Sequence, residues 1–177
     1  MTCIAAIAEK GKVYIGADSA GVSDYNLTIR ADEKIFINGP CLFGFTSSFR
    51  MGQLLRYQLK VPTKPNDMNE KIFINTIFIE AIRKCLKDGG YSQIKENRET
   101  GGTFIVGHKG KIYQIEEDFQ IVESVESFAA CGCGHAYAKA VLYITKKISP
   151  KERIRKALQT AEYFSAGVRK PFRILSI

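Results

Sequence analysis

The sequence has 177 residues, of which 45% are hydrophobic and 25% charged, and its net charge is +8. A chain of this length and composition is typical of one water-soluble domain that buries about 68–70% of its unfolded surface. Disordered, fibrous and membrane-spanning classes are excluded, since no stretch approaches the roughly 20 consecutive apolar residues that a span needs. We therefore expect a single domain over residues 1–177.

The first residues, MTCIAAIAEK, lack the basic and apolar regions of a signal peptide, which predicts a cytoplasmic protein with reduced thiols at its five cysteines. The Cys131-Gly132-Cys133 spacing is too tight for an ordinary zinc site, and we predict neither a metal nor a cofactor. The basic residues are scattered along the chain. Nucleic-acid binding is therefore the weaker interpretation of the positive charge, and it would require a steeply salt-dependent affinity.

Four short runs rich in β-branched residues and alanine predict strands at residues 2–8, 13–18, 34–38 and 42–46. Turn-forming residues separate each pair of runs, Glu9-Lys10-Gly11-Lys12 in the first and Asn38-Gly39-Pro40 in the second. The chain is therefore expected to begin with two hairpins.

Helical spacing then replaces the alternation of the strands. Apolar residues recur at Met51, Leu54, Leu55 and Leu59 until Pro62 breaks the pattern. Asp67-Met68-Asn69-Glu70 has the form of a capping box, so a second helix is predicted from there to Asp88-Gly89-Gly90. Because this helix is apolar on more than one side, we expect it to be covered on both flanks.

The second half of the chain repeats the same order of elements. Strand patterns return at residues 103–106, 111–115 and 119–122, and helical patterns follow at 134–147 and from Ser149-Pro150 onward. The apolar face of the last helix is predicted to consist of Ile154, Ala157, Leu158, Ala161 and Phe164. A final strand is expected at residues 172–177. This order predicts an α+β fold in which two antiparallel sheets stack face to face with a helix pair on each outer side.

Thr2 is the first candidate catalytic residue in the chain. A threonine in second position is small enough for removal of the initiator methionine, which would leave its amine beside its own hydroxyl. Such an amine has a pKa of roughly 7.7–8.0, so part of it is neutral near pH 7 and can act as the base for a threonine nucleophile. Alone, the pattern is more often that of a first strand that begins with threonine.

Four segments of the sequence resemble the proteasome β-subunit family of N-terminal nucleophile hydrolases, which includes the bacterial HslV peptidase. They are VYIGADSAG at 13–21, DEKIFI at 32–37, LFGFTSS at 42–48 and ACGCGHAYAKAVLY at 130–143. With Thr2 as the nucleophile of the family, its aspartate falls on Asp18 and its lysine on Lys34 without an insertion. The resemblance implies a four-layer αββα sandwich and a threonine peptidase.

The resemblance also implies the role of each site residue. Asp18 would hold and charge Lys34, whose ammonium would activate Thr2, and Ser48 would supply the backbone N–H of the oxyanion hole. Supporting positions fall on Cys133 and Ser165, and on Glu162 or, with a slip of one residue, Tyr163. The structural alternatives stay open here: a turn aspartate, a solvated edge lysine and a small residue in a tight turn.

The same comparison suggests a substrate pocket and partners. By matching position, the residue before the scissile bond would meet Gly21, Asp32, Phe36 and Thr46, and Asp32 would favour a basic or polar side chain. The substrate would be a peptide or unfolded protein, cleaved inside a homo-oligomeric ring that docks to an ATP-dependent unfoldase. The competing interpretation is a catalytically inactive scaffold or assembly protein that retains Met1, because a retained methionine acylates the amine that the mechanism requires.

Overall fold

A computed structural model describes the backbone of residues 1–177 and every side chain except that of Lys95. The strands, in chain order, are β1 (Ile4–Glu9), β2 (Lys12–Ala17), β3 (Ala20–Ser23), β4 (Asn26–Ile29), β5 (Ile35–Asn38), β6 (Cys41–Phe45), β7 (Gln93–Lys95), β8 (Arg98–Thr100), β9 (Phe104–His108), β10 (Lys111–Ile115), β11 (Ile121–Val122), β12 (Phe128–Cys131) and β13 (Arg173–Ser176). The helices are α1 (Phe49–Tyr57), α2 (Glu70–Phe73), a π-helical stretch (Ile74–Phe78), α3 (Ile79–Asp88), α4 (His135–Ile144) and α5 (Pro150–Phe164). In the described part of the chain, no helix is both long and apolar enough to cross a membrane.

The strands form two main antiparallel sheets and two small ones. A four-stranded sheet has the order β12-β1-β2-β13, and a five-stranded sheet has the order β11-β10-β9-β6-β5. The pairs β3–β4 and β7–β8 form separate two-stranded sheets. The mixed α and β content and the antiparallel pairing agree with the fold class predicted from the sequence.

Both hairpins predicted at the start of the chain are confirmed. β1 pairs with β2 from Ile4 opposite Ala17 to Glu9 opposite Lys12. Lys10 and Gly11 form the turn with φ of 51° and 75°, the left-handed angles that a tight two-residue hairpin loop requires. β5 pairs with β6 in the same way, but in the five-stranded sheet. The two hairpins therefore belong to different sheets.

Three apolar clusters hold these elements together. One lies between the five-stranded sheet and the helices α1 to α3, and another lies between the four-stranded sheet and the helices α4 and α5. The third contains residues of both main sheets, among them Ile4, Ile15, Leu42 and Ile105. Successive residues of β1 alternate between clusters, since Ile4 enters the third and Ala5 the second.

The helix predicted to begin at Asp67 begins at Glu70 instead. Asn69 is its N-cap, because the side-chain oxygen of Asn69 accepts a hydrogen bond of 2.8 Å from the Lys71 N–H. The helix runs through the π-helical stretch to Asp88, where it was predicted to end. The expectation that both flanks are covered was wrong, since Ile72 and Ile77 are 55% and 37% exposed.

Other differences concern the ends of elements and the short pairs. Phe164, predicted on the buried face of α5, is 60% exposed at the last turn, where it stacks on Tyr137 with ring centroids 5.2 Å apart. Phe119 lies in a turn with φ of 66°, so the strand predicted from it begins at Ile121. The hairpins β3–β4 and β7–β8 and the strand β12 were not predicted.

Candidate active site

A buried ion pair joins the two main sheets at the end where Thr2 lies. Asp18 follows β2 and Lys34 precedes β5. The Lys34 Nζ lies 2.8 Å from Asp18 Oδ1, and the two side chains are 1% and 0% exposed. Burial lowers the pKa of the Lys34 ammonium, and the charge and hydrogen bond of Asp18 oppose that shift. The alternative of a solvated edge lysine is therefore wrong.

The Asp18 carboxylate also organises the backbone around it. Its Oδ1 accepts a hydrogen bond of 3.0 Å from the Cys3 N–H, and its Oδ2 accepts from the N–H groups of Ala20 (2.9 Å) and Arg169 (3.2 Å). Because Cys3 and Lys34 share one acceptor oxygen, the ammonium lies beside the residue that directly follows Thr2. Asp18 is thus the centre of a buried hydrogen-bond network. The alternative of a simple turn aspartate at the end of a strand does not account for these bonds.

Thr2 is buried, with 5% of its surface exposed. Its N–H donates to Cys133 Sγ over 3.2 Å, and its hydroxyl donates to the Met1 carbonyl over 2.5 Å. The Thr2 carbonyl accepts from the Gly134 N–H (3.3 Å) and from the Cys133 thiol (3.4 Å). While Met1 is attached, the Thr2 nitrogen is an amide without basic character.

The turn before α4 brings Cys133 to Thr2. Gly132 has a φ of 90°, and a Cβ at this position would lie 2.3 Å from the Thr2 carbonyl oxygen. Glycine is therefore required both by the backbone angle and by the approach of Thr2. On its other side, Cys133 Sγ lies 3.3 Å from Ser165 Oγ, so the three predicted residues Thr2, Cys133 and Ser165 are in contact.

Ser48 occupies the position predicted to stabilise an oxyanion. It is the N-cap of α1, with φ of −145° and ψ of 136°, which is extended backbone that a residue with a Cβ adopts freely. Its N–H donates to the Thr46 carbonyl over 2.7 Å across Ser47, whose φ is 63°. The Ser48 N–H is therefore engaged within this loop and would have to turn away from Thr46 to bind an oxyanion.

Glu162 lies outside this cluster of contacts. Its Oε1 accepts from the Lys170 N–H over 2.9 Å, so the carboxylate braces the segment after α5. Tyr163, the alternative by a slip of one residue, is 83% exposed and packs on Phe164. Neither residue makes a hydrogen bond with Thr2, Cys133 or Ser165 among the side chains that the structure describes.

Arg169 is a residue of this region that the sequence analysis missed. Its Nη1 donates to the carbonyls of Val168 (2.7 Å), Ser165 (3.1 Å) and Glu162 (3.5 Å) at the end of α5, while its backbone N–H donates to Asp18. Arg169 thus ties Ser165 to the Asp18–Lys34 pair. The sequence signal was a cation shortly after a helix, where it can pair with the last carbonyls.

The four residues predicted for the substrate pocket lie in different surroundings. Asp32 borders a small pocket with Phe49 and Tyr57, whereas Thr46 borders a polar cleft of about 500 Å³ that reaches Gly132. Phe36 is buried in the core, where it stacks on Phe43 with centroids 5.2 Å apart. Gly21 lies on β3 against the side chain of Arg30.

The fold and this arrangement together define a protein of the proteasome β-subunit and HslV-like fold, as the sequence resemblance implied. Among solved structures, the chain is similar to Thiobacillus denitrificans BPH in complex with epoxomicin, with a TM-score of 0.80, 18% identity and coverage of 99% of this chain and 98% of BPH. It is similar to eukaryotic HslV from Trypanosoma brucei, with a TM-score of 0.68, 14% identity and coverage of 99% of this chain and 98% of the HslV chain. It is also similar to Anbu, an ancestral β-subunit from Yersinia bercovieri, with a TM-score of 0.69, 11% identity and coverage of 99% of this chain and 81% of the Anbu chain.

Comparisons at the level of sequence give no match. No family model matches the chain, and no curated protein matches it. At identities of 11–18%, the likeness to solved structures establishes the fold alone.

Proposed function

We propose that this protein is a threonine peptidase whose nucleophile, Thr2, is exposed by cleavage of the Met1–Thr2 bond. The observation that carries the proposal is the buried Asp18–Lys34 pair, held 2.8 Å apart and joined to the residue after Thr2 through a shared carboxylate oxygen. Burying two charges is costly unless they are paired and hydrogen-bonded, and such groups are concentrated at functional sites.

In the proposed reaction, the freed amine of Thr2 accepts the hydroxyl proton as Oγ1 attacks a substrate carbonyl. The positive charge of Lys34 disfavours a second positive charge nearby and so favours the neutral amine. The substrate C–N bond then breaks, the leaving amine takes the proton, and an ester remains on Thr2. Water hydrolyses the ester, which releases the acid and restores the hydroxyl.

Four groups support the nucleophile in this proposal. Cys133 contacts the nitrogen that becomes the amine, and Ser165 contacts Cys133. The Ser48 N–H is the candidate donor to the oxyanion once it leaves the Thr46 carbonyl. Glu162 has a bracing role through Lys170. No cofactor takes part in any of these steps.

The proposal extends to the architecture and the assembly. We infer that the three apolar clusters separate four layers, helices, sheet, sheet and helices, within one domain over residues 1–177. We further infer a homo-oligomeric ring in the cytoplasm that cleaves peptides or unfolded protein, with an ATP-dependent unfoldase as partner, and the fold similarity to HslV supports the ring.

A catalytically inactive scaffold or assembly protein that retains Met1 is the second candidate. It is favoured by one observation, that the Thr2 hydroxyl and the Ser48 N–H donate to the carbonyls of Met1 and Thr46. An intact mass of the protein from its native host decides between the two. Loss of Met1 supports the peptidase, and full retention supports the scaffold.

Substitution of the nucleophile is the direct test of the peptidase. Thr2→Ala should lower hydrolysis of a fluorogenic peptide by about 10³-fold or more, because it removes the attacking oxygen. Thr160→Ala, which removes a half-buried threonine hydroxyl that donates to the Lys156 carbonyl within α5, should leave the rate unchanged. Activity that survives in Thr2→Ala would reject Thr2 as the nucleophile.

Replacement of Cys133 tests the contact with the Thr2 nitrogen. Cys133→Ser is expected to raise kcat by about 2- to 10-fold, because a hydroxyl is a stronger hydrogen-bond partner than a thiol. Cys85→Ser, on the half-buried side of α3, is the matched control and should have no effect on kcat. A lower kcat in Cys133→Ser would show that the thiol itself is needed at this contact, and an unchanged kcat would show that the strength of this hydrogen bond does not affect the rate.

A further inference from the structure

The side chain of Arg30 covers the surface on which the sequence resemblance placed a substrate pocket. Its Nε and Nη2 donate to Oδ1 and Oδ2 of Asp32, each over 2.6 Å, in a two-pronged pair. The guanidinium carbon lies 4.0 Å from the centroid of the Phe49 ring, and the Cγ and Cδ atoms lie 2.9 Å from where a Cβ on Gly21 would be. Arg30 thus occupies the space between Gly21, Asp32 and Phe49.

This cluster adjoins the candidate active site. The Arg30 backbone N–H donates to the carbonyl of Ser19, the residue after Asp18, over 2.8 Å. The Lys34 Nζ lies 5.9 Å from the centroid of Phe49, the ring on which Arg30 packs. The cluster therefore adjoins both members of the Asp18–Lys34 pair.

Resting on the proposed peptidase function, we propose that Arg30 is a specificity-determining residue that neutralises Asp32 and selects an uncharged side chain before the scissile bond. A basic side chain would meet the guanidinium of Arg30, and an acidic one would meet the carboxylate of Asp32. The expectation that Asp32 favours a basic or polar residue considers the carboxylate alone, whereas in the structure its charge is already paired, which disfavours the basic residue and keeps the polar one.

The electrostatics of the pair agree with this assignment. The hydrogen bonds from Arg30 lower the pKa of the Asp32 carboxyl, and those to Asp32 raise the pKa of Arg30, so both stay charged and paired at neutral pH. The side chains are 35% and 40% exposed, and a pair so exposed contributes little to folding. Variants at these positions should therefore fold, which makes a test by activity informative.

The experiment compares kcat/KM for three peptides that are identical except for glutamine, lysine or glutamate before the scissile bond. The wild type should prefer the glutamine peptide by about tenfold or more over both charged peptides. Arg30→Gln keeps most of the side chain that covers Gly21 and Phe49 but removes its charge. It should raise kcat/KM for the lysine peptide by about tenfold, because Asp32 then binds the lysine ammonium.

Two further variants complete the test. Arg30→Gln/Asp32→Asn should lose the gain for lysine, and Arg155→Ala, which removes a paired surface arginine on α5, should keep the wild-type ranking. A wild type that already prefers lysine or glutamate, or an Arg30→Gln variant with an unchanged ranking, would overturn the inference while the peptidase function stands. Failure of every variant and of the wild type to cleave any peptide would instead reject the peptidase function, and the inference with it.

Discussion

Removing one partner of the buried Asp18–Lys34 pair is expected to lower the free energy of unfolding by about 3–5 kcal/mol. Asp18→Ala leaves the Lys34 ammonium without its counter-charge and three backbone N–H groups without their acceptor. Lys34→Met leaves the carboxylate of Asp18 in a site where its side chain is fully buried. In both variants the charge that remains has no solvent to stabilise it.

The double variant Asp18→Asn/Lys34→Met separates the structural from the catalytic role of the pair. Asparagine retains one oxygen, which accepts from the N–H groups of Ala20 and Arg169 but leaves the Cys3 N–H without an acceptor, and methionine has a volume similar to that of lysine. A buried ion pair replaced by neutral groups of similar volume is often close to neutral in stability, so part of the lost free energy should return. Peptidase activity should nevertheless stay about 10³-fold or more below the wild type, because the ammonium is missing.

Urea unfolding and peptide hydrolysis, measured on the two single variants and the double variant, check this expectation. The result that supports the proposed mechanism is recovered stability without recovered activity. A double variant as active as the wild type would show that the pair only holds the chain together. Two stable single variants would contradict the burial of the charges.

The sequence predicted most of the main secondary structure because those elements carry strong local signals. Left-handed turn residues such as Lys10 and Gly11 and the cap and N1 proline at Ser149-Pro150 are visible in the chain itself. The capping box was less informative, since Asp67 and Asn69 are both good N-caps. Only the structure shows that Asn69 accepts the bond from Lys71.

Exposure at the edges of elements was harder to predict than the elements themselves. Phe164 has helical spacing with Ile154 and Leu158, yet it lies on the last turn of α5, beyond the sheet that buries the others. Strand β12 has only four residues, two of them alanine, and its pairing with β1 depends on partners more than 120 residues away. Such contacts leave no local pattern in the sequence.

The candidate site likewise contains residues that the sequence indicates and residues that only the fold reveals. Thr2, Asp18 and Lys34 were predicted together because their spacing resembles that of a known family, and in the structure the Asp18 carboxylate binds Lys34 and the N–H of the residue after Thr2. Arg30 and Arg169 were missed, since each acts through contacts that the fold alone creates. In the structure Arg30 pairs with Asp32, so the charge expected at the proposed subsite is neutralised.

The turn at Gly132 provides the second large effect that we expect. Gly132→Ala places a Cβ 2.3 Å from the Thr2 carbonyl oxygen, so Thr2 or the turn must move. A displacement of about 1 Å at a reacting group can lower a rate about 10²-fold, and we expect at least that loss in kcat. The strained backbone, with φ of 90°, should also lower the free energy of unfolding by about 1–3 kcal/mol.

Gly11→Ala is the matched control because it has the same kind of backbone angle without the collision. Gly11 has a φ of 75°, and a Cβ there would meet nothing within 4 Å. Its loss of stability should be about 1–2 kcal/mol, from the backbone angle alone, with kcat unchanged. Chemical unfolding and steady-state kinetics on both variants give the comparison. If Gly132→Ala retains full activity, the contact between this turn and Thr2 does not position the nucleophile, and the role proposed for Cys133 in the same turn is wrong as well.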